Sequence, residues 1–168
     1  MNTLTVCCFQ TPEAGDAALP VVTRLVVGGD ATVDDAALVS WPPGRRMPSA
    51  RGLGTMAGPG HLWGGFWGLL LGLIFLTPLA GPTFGAAAGA VAGSLSDFGV
   101  EDDFVHDVRA AVTPGTSAVF LVSSAASADR LSDALAPFNT RTLSSRLSPE
   151  QEQRLRDALG EESTQPNV

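Results

Sequence analysis

The chain has 168 residues, enough for one domain or a small domain with an appendage. Its net charge of -7 argues against nucleic acid as a partner. Only 16% of residues are charged, against about a quarter in an ordinary domain, and from Gly52 to Ser96 there is no Asp, Glu, Lys or Arg at all. That shift in composition marks a separate module.

The N-terminal stretch "MNTLTVCCFQTPEAGD" has no basic region and no long apolar run, so it does not read as a signal peptide. Leu4 to Phe9 is a short apolar run that predicts a strand. It contains the chain's two cysteines, Cys7 and Cys8. Neighbours on a strand point to opposite faces, so the pair suits neither a disulfide nor a chelate. A reducing compartment is the expectation. A helix is predicted from Pro12 to Leu25, with Thr11 as its cap and Pro20 kinking or splitting it. Ala36 to Trp41 is a second strand. Pro42 to Gly60 is rich in Pro, Gly and Ser, carries Arg45, Arg46 and Arg51, and reads as a basic linker.

The charge-free module follows, at 60–96. Gly60, Gly64, Gly68 and Gly72 recur every fourth residue, and so do Gly81, Gly85, Gly89 and Gly93. Glycine costs about 1 kcal/mol relative to Ala inside a helix, so eight of them require close packing in return. A spacing of four keeps them near one face, where they let another backbone approach. Leu62 to Ala80 spans nineteen residues, close to the ~20 needed to cross a bilayer. Trp63 and Trp67 cluster at one end, as interfacial Trp does, and Gly81-Pro82 makes a turn. The expectation is a glycine-zipper helical hairpin in a membrane. Arg45, Arg46 and Arg51 keep its flanks cytoplasmic and touch anionic head groups at roughly 1 kcal/mol each.

After the module, Val100 to Val112 reads as an amphipathic helix with Phe104, Val108 and Ala111 on one face. Thr116 to Ser124 is apolar enough for a central strand. A helix from Ser127 to Ala136 and an edge-like strand from Thr140 to Leu147 come next. Ser148 then caps a C-terminal helix that ends at Gly160, and residues 161–168 form a polar tail expected to be disordered. With the module removed, two βαβ halves remain, at 1–41 and within 97–160. That is the pattern of a ferredoxin-like α+β domain with the hairpin inserted between its second and third strands.

"GGFWGLLLGLIFLTPLAGPTFGAAAGAVAGSLSDFGVEDDFV", continued by "TPGTSAVFLV", "LAPF" and "LSPEQEQRLRDAL", resembles a widespread bacterial family of unknown function whose members are labelled uncharacterised membrane proteins. The first half departs from such relatives. Pro20 interrupts a helix they keep regular, and the Pro-rich linker replaces a more polar, strand-like stretch. The resemblance implies no catalytic residue and no ligand.

No phosphate loop, dinucleotide fingerprint, CxxC, HExxH or GxSxG motif occurs. His106, with Asp102 and Asp103 a turn earlier, reads as a solvated face in preference to a metal site. His61 reads as an interfacial polar residue in preference to a pH-sensitive group. The sequence therefore predicts a non-enzymatic, homo-oligomeric protein of the bacterial inner membrane, with its α+β domain cytoplasmic, no cofactor and no small-molecule substrate. Its function is expected to lie in assembly, with membrane stress or permeability as the candidate role. The competing readings are a soluble oligomer with hairpins in a shared apolar core, a pore-forming channel, and an enzyme or sensor using the α+β domain.

Overall fold

The computed structural model describes residues 2–53 and 101–147. The hairpin at 60–96, the C-terminal helix and the tail lie outside the described residues. The order of elements is β1 (Asn2–Phe9), α1 (Ala14–Val27), β2 (Val33–Trp41), β3 (Ser49–Gly52), α2 (Asp102–Ala111), β4 (Thr116–Ser124), α3 (Ala125–Leu135), a 3-10 turn (Ala136–Phe138) and β5 (Arg141–Leu147). The strands form one sheet in the order β3-β2-β4-β1-β5. Every neighbouring pair is antiparallel. The class is α+β.

β4 is the central strand, and it is buried from Ser117 to Ser123. Its run of Ala, Val, Phe and Leu has a packed layer on each side, which explains why it is apolar throughout instead of alternating. One face carries Leu4, Val6, Ala37, Val39, Phe120 and Val122 against Phe104 and Val108 of α2. The other carries Cys7, Phe9, Leu38, Val119 and Leu121 against Ala18 and Val22 of α1 and Leu131 and Leu135 of α3. The amphipathic face predicted for α2 is the buried one: Phe104 and Val108 are enclosed, and Ala111 is half-buried. Burying side chains of this size contributes about 1.5–3 kcal/mol each, which makes the two layers the main source of stability.

Several expectations need correction. α1 starts at Ala14, not Pro12, and its N-cap position is Glu13, without a side-chain cap. Thr11 does not cap: its carbonyl accepts the Ser117 hydroxyl at 2.7 Å and so ties the loop to β4. Pro20 does not split α1, which runs unbroken to Val27. Pro20 is exposed, so the Asp16 carbonyl that loses its usual N–H partner is on the solvent side. β2 begins at Val33, three residues early, because a register shift between Val33 and Asp35 lets the polar "VDD" join the sheet. Most informative is β3. It lies inside the stretch read as a linker, and Ser49, Ala50 and Arg51 pair with Ser40, Val39 and Leu38. Pro42, Pro43 and Pro48 belong to the loop, and none falls on the ladder itself.

The sheet has two distinct ends. At one lie Phe9, Trp41 and Thr116, with Ser117 paired to Phe9 and Thr116 to Trp41. At the other lie Asn2, Val33 and Ser123. β3 starts beside Ser40, near the first end, and runs away from it. The amide of Leu53 donates to the Ala36 carbonyl at 2.9 Å, already past the middle of β2. α2 runs towards the first end. Val112 follows it, and the Gly115 amide donates to the Trp41 carbonyl at 2.6 Å, with φ of 90° at Gly115, a value that suits glycine. The chain therefore leaves at Leu53, in the α1–α3 layer, and returns at Glu101 ahead of α2, in the other layer, both towards the end of the sheet away from Trp41.

Candidate functional site

The eight zipper glycines, Gly60, Gly64, Gly68, Gly72, Gly81, Gly85, Gly89 and Gly93, lie outside the described residues, as do Trp63, Trp67 and His61. Among the described residues no helix is long and apolar enough to cross a membrane. That finding does not bear on the 60–96 segment.

The three arginines are described, and they do not form one cluster. Arg51 sits on β3, and its guanidinium reaches the Asp16 carboxylate of α1 at 2.8 Å. Both side chains are about 60% exposed, so the pair is screened and contributes at most about 1 kcal/mol. It closes one side of a cleft of about 350 Å³ between the start of α1 and the β2–β3 hairpin, lined also by Pro12, Leu38 and Ser40. Ser40 donates its hydroxyl to the Pro12 carbonyl at 3.0 Å, which occupies the proton an activated nucleophile would have to give up.

Arg45 and Arg46 lie exposed at the tip of the β2–β3 hairpin, and among the described residues neither guanidinium is in an ion pair. The tip is ordered by its own contacts. The Trp41 indole N–H donates to the Arg45 carbonyl at 2.8 Å, and the Arg45 amide donates to the Pro42 carbonyl at 3.3 Å. Met47, beside them, is 46% exposed.

Cys7 and Cys8 are buried on opposite faces of β1, as their adjacency predicted. Burial pushes both thiols up to about 11. A hydrogen bond with Thr142 opposes the shift at Cys7, and at Cys8 the charge of Arg141 does so. Protonated, enclosed thiols are poor nucleophiles and poor ligands. His106 is exposed on α2. Among the described residues no three His, Cys, Asp or Glu side chains are grouped so as to hold a metal ion.

Asp35 and Thr5 are among the buried polar residues that the sequence did not single out. The Asp35 carboxylate accepts the Ala36 amide at 2.8 Å beside the register shift in β2. The Thr5 hydroxyl is enclosed with no hydrogen-bond partner among the described residues. The doubled Asp at the start of β2 was the available signal for the first. Nothing marks the second, because an alternating Thr on a strand usually faces water.

No curated protein and no solved structure matches the chain. A family model does match, over residues 61–160, and its description is "Protein of unknown function (DUF1269)". The matched segment begins after β3 and takes in α2, β4, α3 and β5. β1 and β2, which flank β4 in the sheet, precede it. The match covers more than half of the sequence, and the chain belongs to this family of unknown function.

Proposed function

We propose that the protein is a non-enzymatic, membrane-associated homo-oligomer of the bacterial inner membrane, assembled through a glycine-zipper hairpin at 60–96. Its α+β domain lies on the cytoplasmic side. The observation that carries this reading is the charge-free window from Gly52 to Ser96 with its two every-fourth glycine series. The window falls largely within the segment matched by the family model.

The described domain supports the reading in two ways. Without the short β3, the strand order is β2-β4-β1-β5, with β4 antiparallel between β1 and β2. Two interleaved βαβ units produce this order, so the domain reads as ferredoxin-like with the hairpin as an insertion between its second and third long strands. The chain also leaves at Leu53 and returns at Glu101 towards the same end of the sheet, as a hairpin that re-emerges on its original side of a bilayer requires.

The test is the size of the purified protein. Gly68→Leu and Gly89→Leu place a branched side chain on the packing face and are expected to reduce the assembly to smaller species. Leu70→Ala, away from that face, is expected to preserve it. An oligomer unchanged in both glycine variants overturns the zipper.

A further inference from the structure

We infer that the end of the α+β domain carrying Val27 is the surface that meets the bilayer, and that the Arg45–Arg46 tip is turned away from it. The inference rests on the hairpin reading above and specifies which surface of the domain the membrane contacts. α1 starts at the Trp41 end, where the Gly15 amide donates to the Ser117 hydroxyl at 2.9 Å. It therefore finishes at the opposite end, where the Thr32 amide donates to the Ser127 hydroxyl at 2.8 Å. Val27, the last residue of α1, projects there with 82% of its surface exposed. Gly28 and Gly29 follow it and carry no charge.

Both junctions of the inserted segment lead towards this end. Leu53 is already beyond the midpoint of β2 and heading there, and α2 approaches the Trp41 end from it. From Ser96 to Glu101 the chain can span at most about 17 Å. The basic tip is far away. β2 has nine residues, so its two ends are roughly 26 Å apart. The screening length at physiological salt is about 8 Å, so Arg45 and Arg46 exert little pull on head groups from that distance. At the Val27 end the exposed Asp30 and half-buried Asp34 stand among the exposed Arg24, Arg130 and Arg146, with the Arg130 guanidinium donating to the Asp30 carbonyl at 2.6 Å, so the charge there is mixed.

The experiment uses the full chain with a single added thiol, Val27→Cys or Met47→Cys, labelled at neutral pH with a small fluorophore. Cys7 and Cys8 are enclosed and stay unlabelled in the folded protein. Each protein is reconstituted in phosphatidylcholine vesicles bearing a nitroxide quencher on the head group, and floated to establish association. The expected result is loss of emission from the label at position 27, with the label at 47 unaffected. Quenching at 47, or at neither position in protein that floats, overturns the inference while leaving the hairpin reading intact. Protein that fails to float overturns the hairpin reading and this inference with it.

Discussion

Cys7 and Cys8 stand back to back through β1, one in each apolar layer. Their thiols are held near 11, above the ordinary value of 9.0, by loss of hydration. A raised acid favours the folded state while the thiol stays protonated. That contribution is complete below about pH 9 and is lost as the pH rises from there through about 11. Two outcomes follow. Alkylation of the folded protein near pH 8 is expected to be far slower than in denaturant, and the melting temperature is expected to fall between pH 9 and pH 11. Rapid alkylation in the folded state contradicts the burial of these thiols. Thr5 supplies a second test at this scale. Its hydroxyl is enclosed without a partner among the described residues, so Thr5→Val removes an unmet desolvation cost while keeping the shape. A gain of about 1 kcal/mol in denaturant unfolding is expected, and a loss of that size shows that the hydroxyl has a partner.

The elements differ in how far the sequence revealed them. β4 was legible to the residue, because an unbroken apolar run has few other uses. α2 was legible because Phe104 and Val108 recur at helical spacing. β3 was not: four residues among several prolines and glycines have no pattern of their own, and pairing with β2 decides their conformation. Pro20 misled in the opposite direction, since an exposed helix face accommodates a missing N–H that a buried face would not. Gly15 shows why α1 sits so close to the sheet. A Cβ there would lie 2.8 Å from a Leu38 methyl and 2.9 Å from the Ser117 hydroxyl oxygen, which is already fixed by two hydrogen bonds. Helix propensity alone favours Gly15→Ala by about 1 kcal/mol. Packing reverses the sign, and a net destabilisation of about 1–3 kcal/mol is expected by thermal or denaturant unfolding. A stabilised variant refutes the close approach.

At the scale of the whole molecule, the α+β class could be read from turn signals and periodicity. The ends of the sheet could not, because they depend on how strands distant in sequence lie side by side. That arrangement separates three arginines that look like one group in the sequence: Arg51 pairs with Asp16, while Arg45 and Arg46 crown the far tip. It also directs Leu53 and the start of α2 towards the same end of the sheet, on opposite faces. The central claim is that the 60–96 segment anchors this domain in a bilayer. Cell fractionation without detergent, followed by a high-salt wash of the membranes, tests it most directly. The account predicts that the protein stays in the washed membranes and is released by detergent as an oligomer. Recovery in the supernatant before any detergent is added contradicts it.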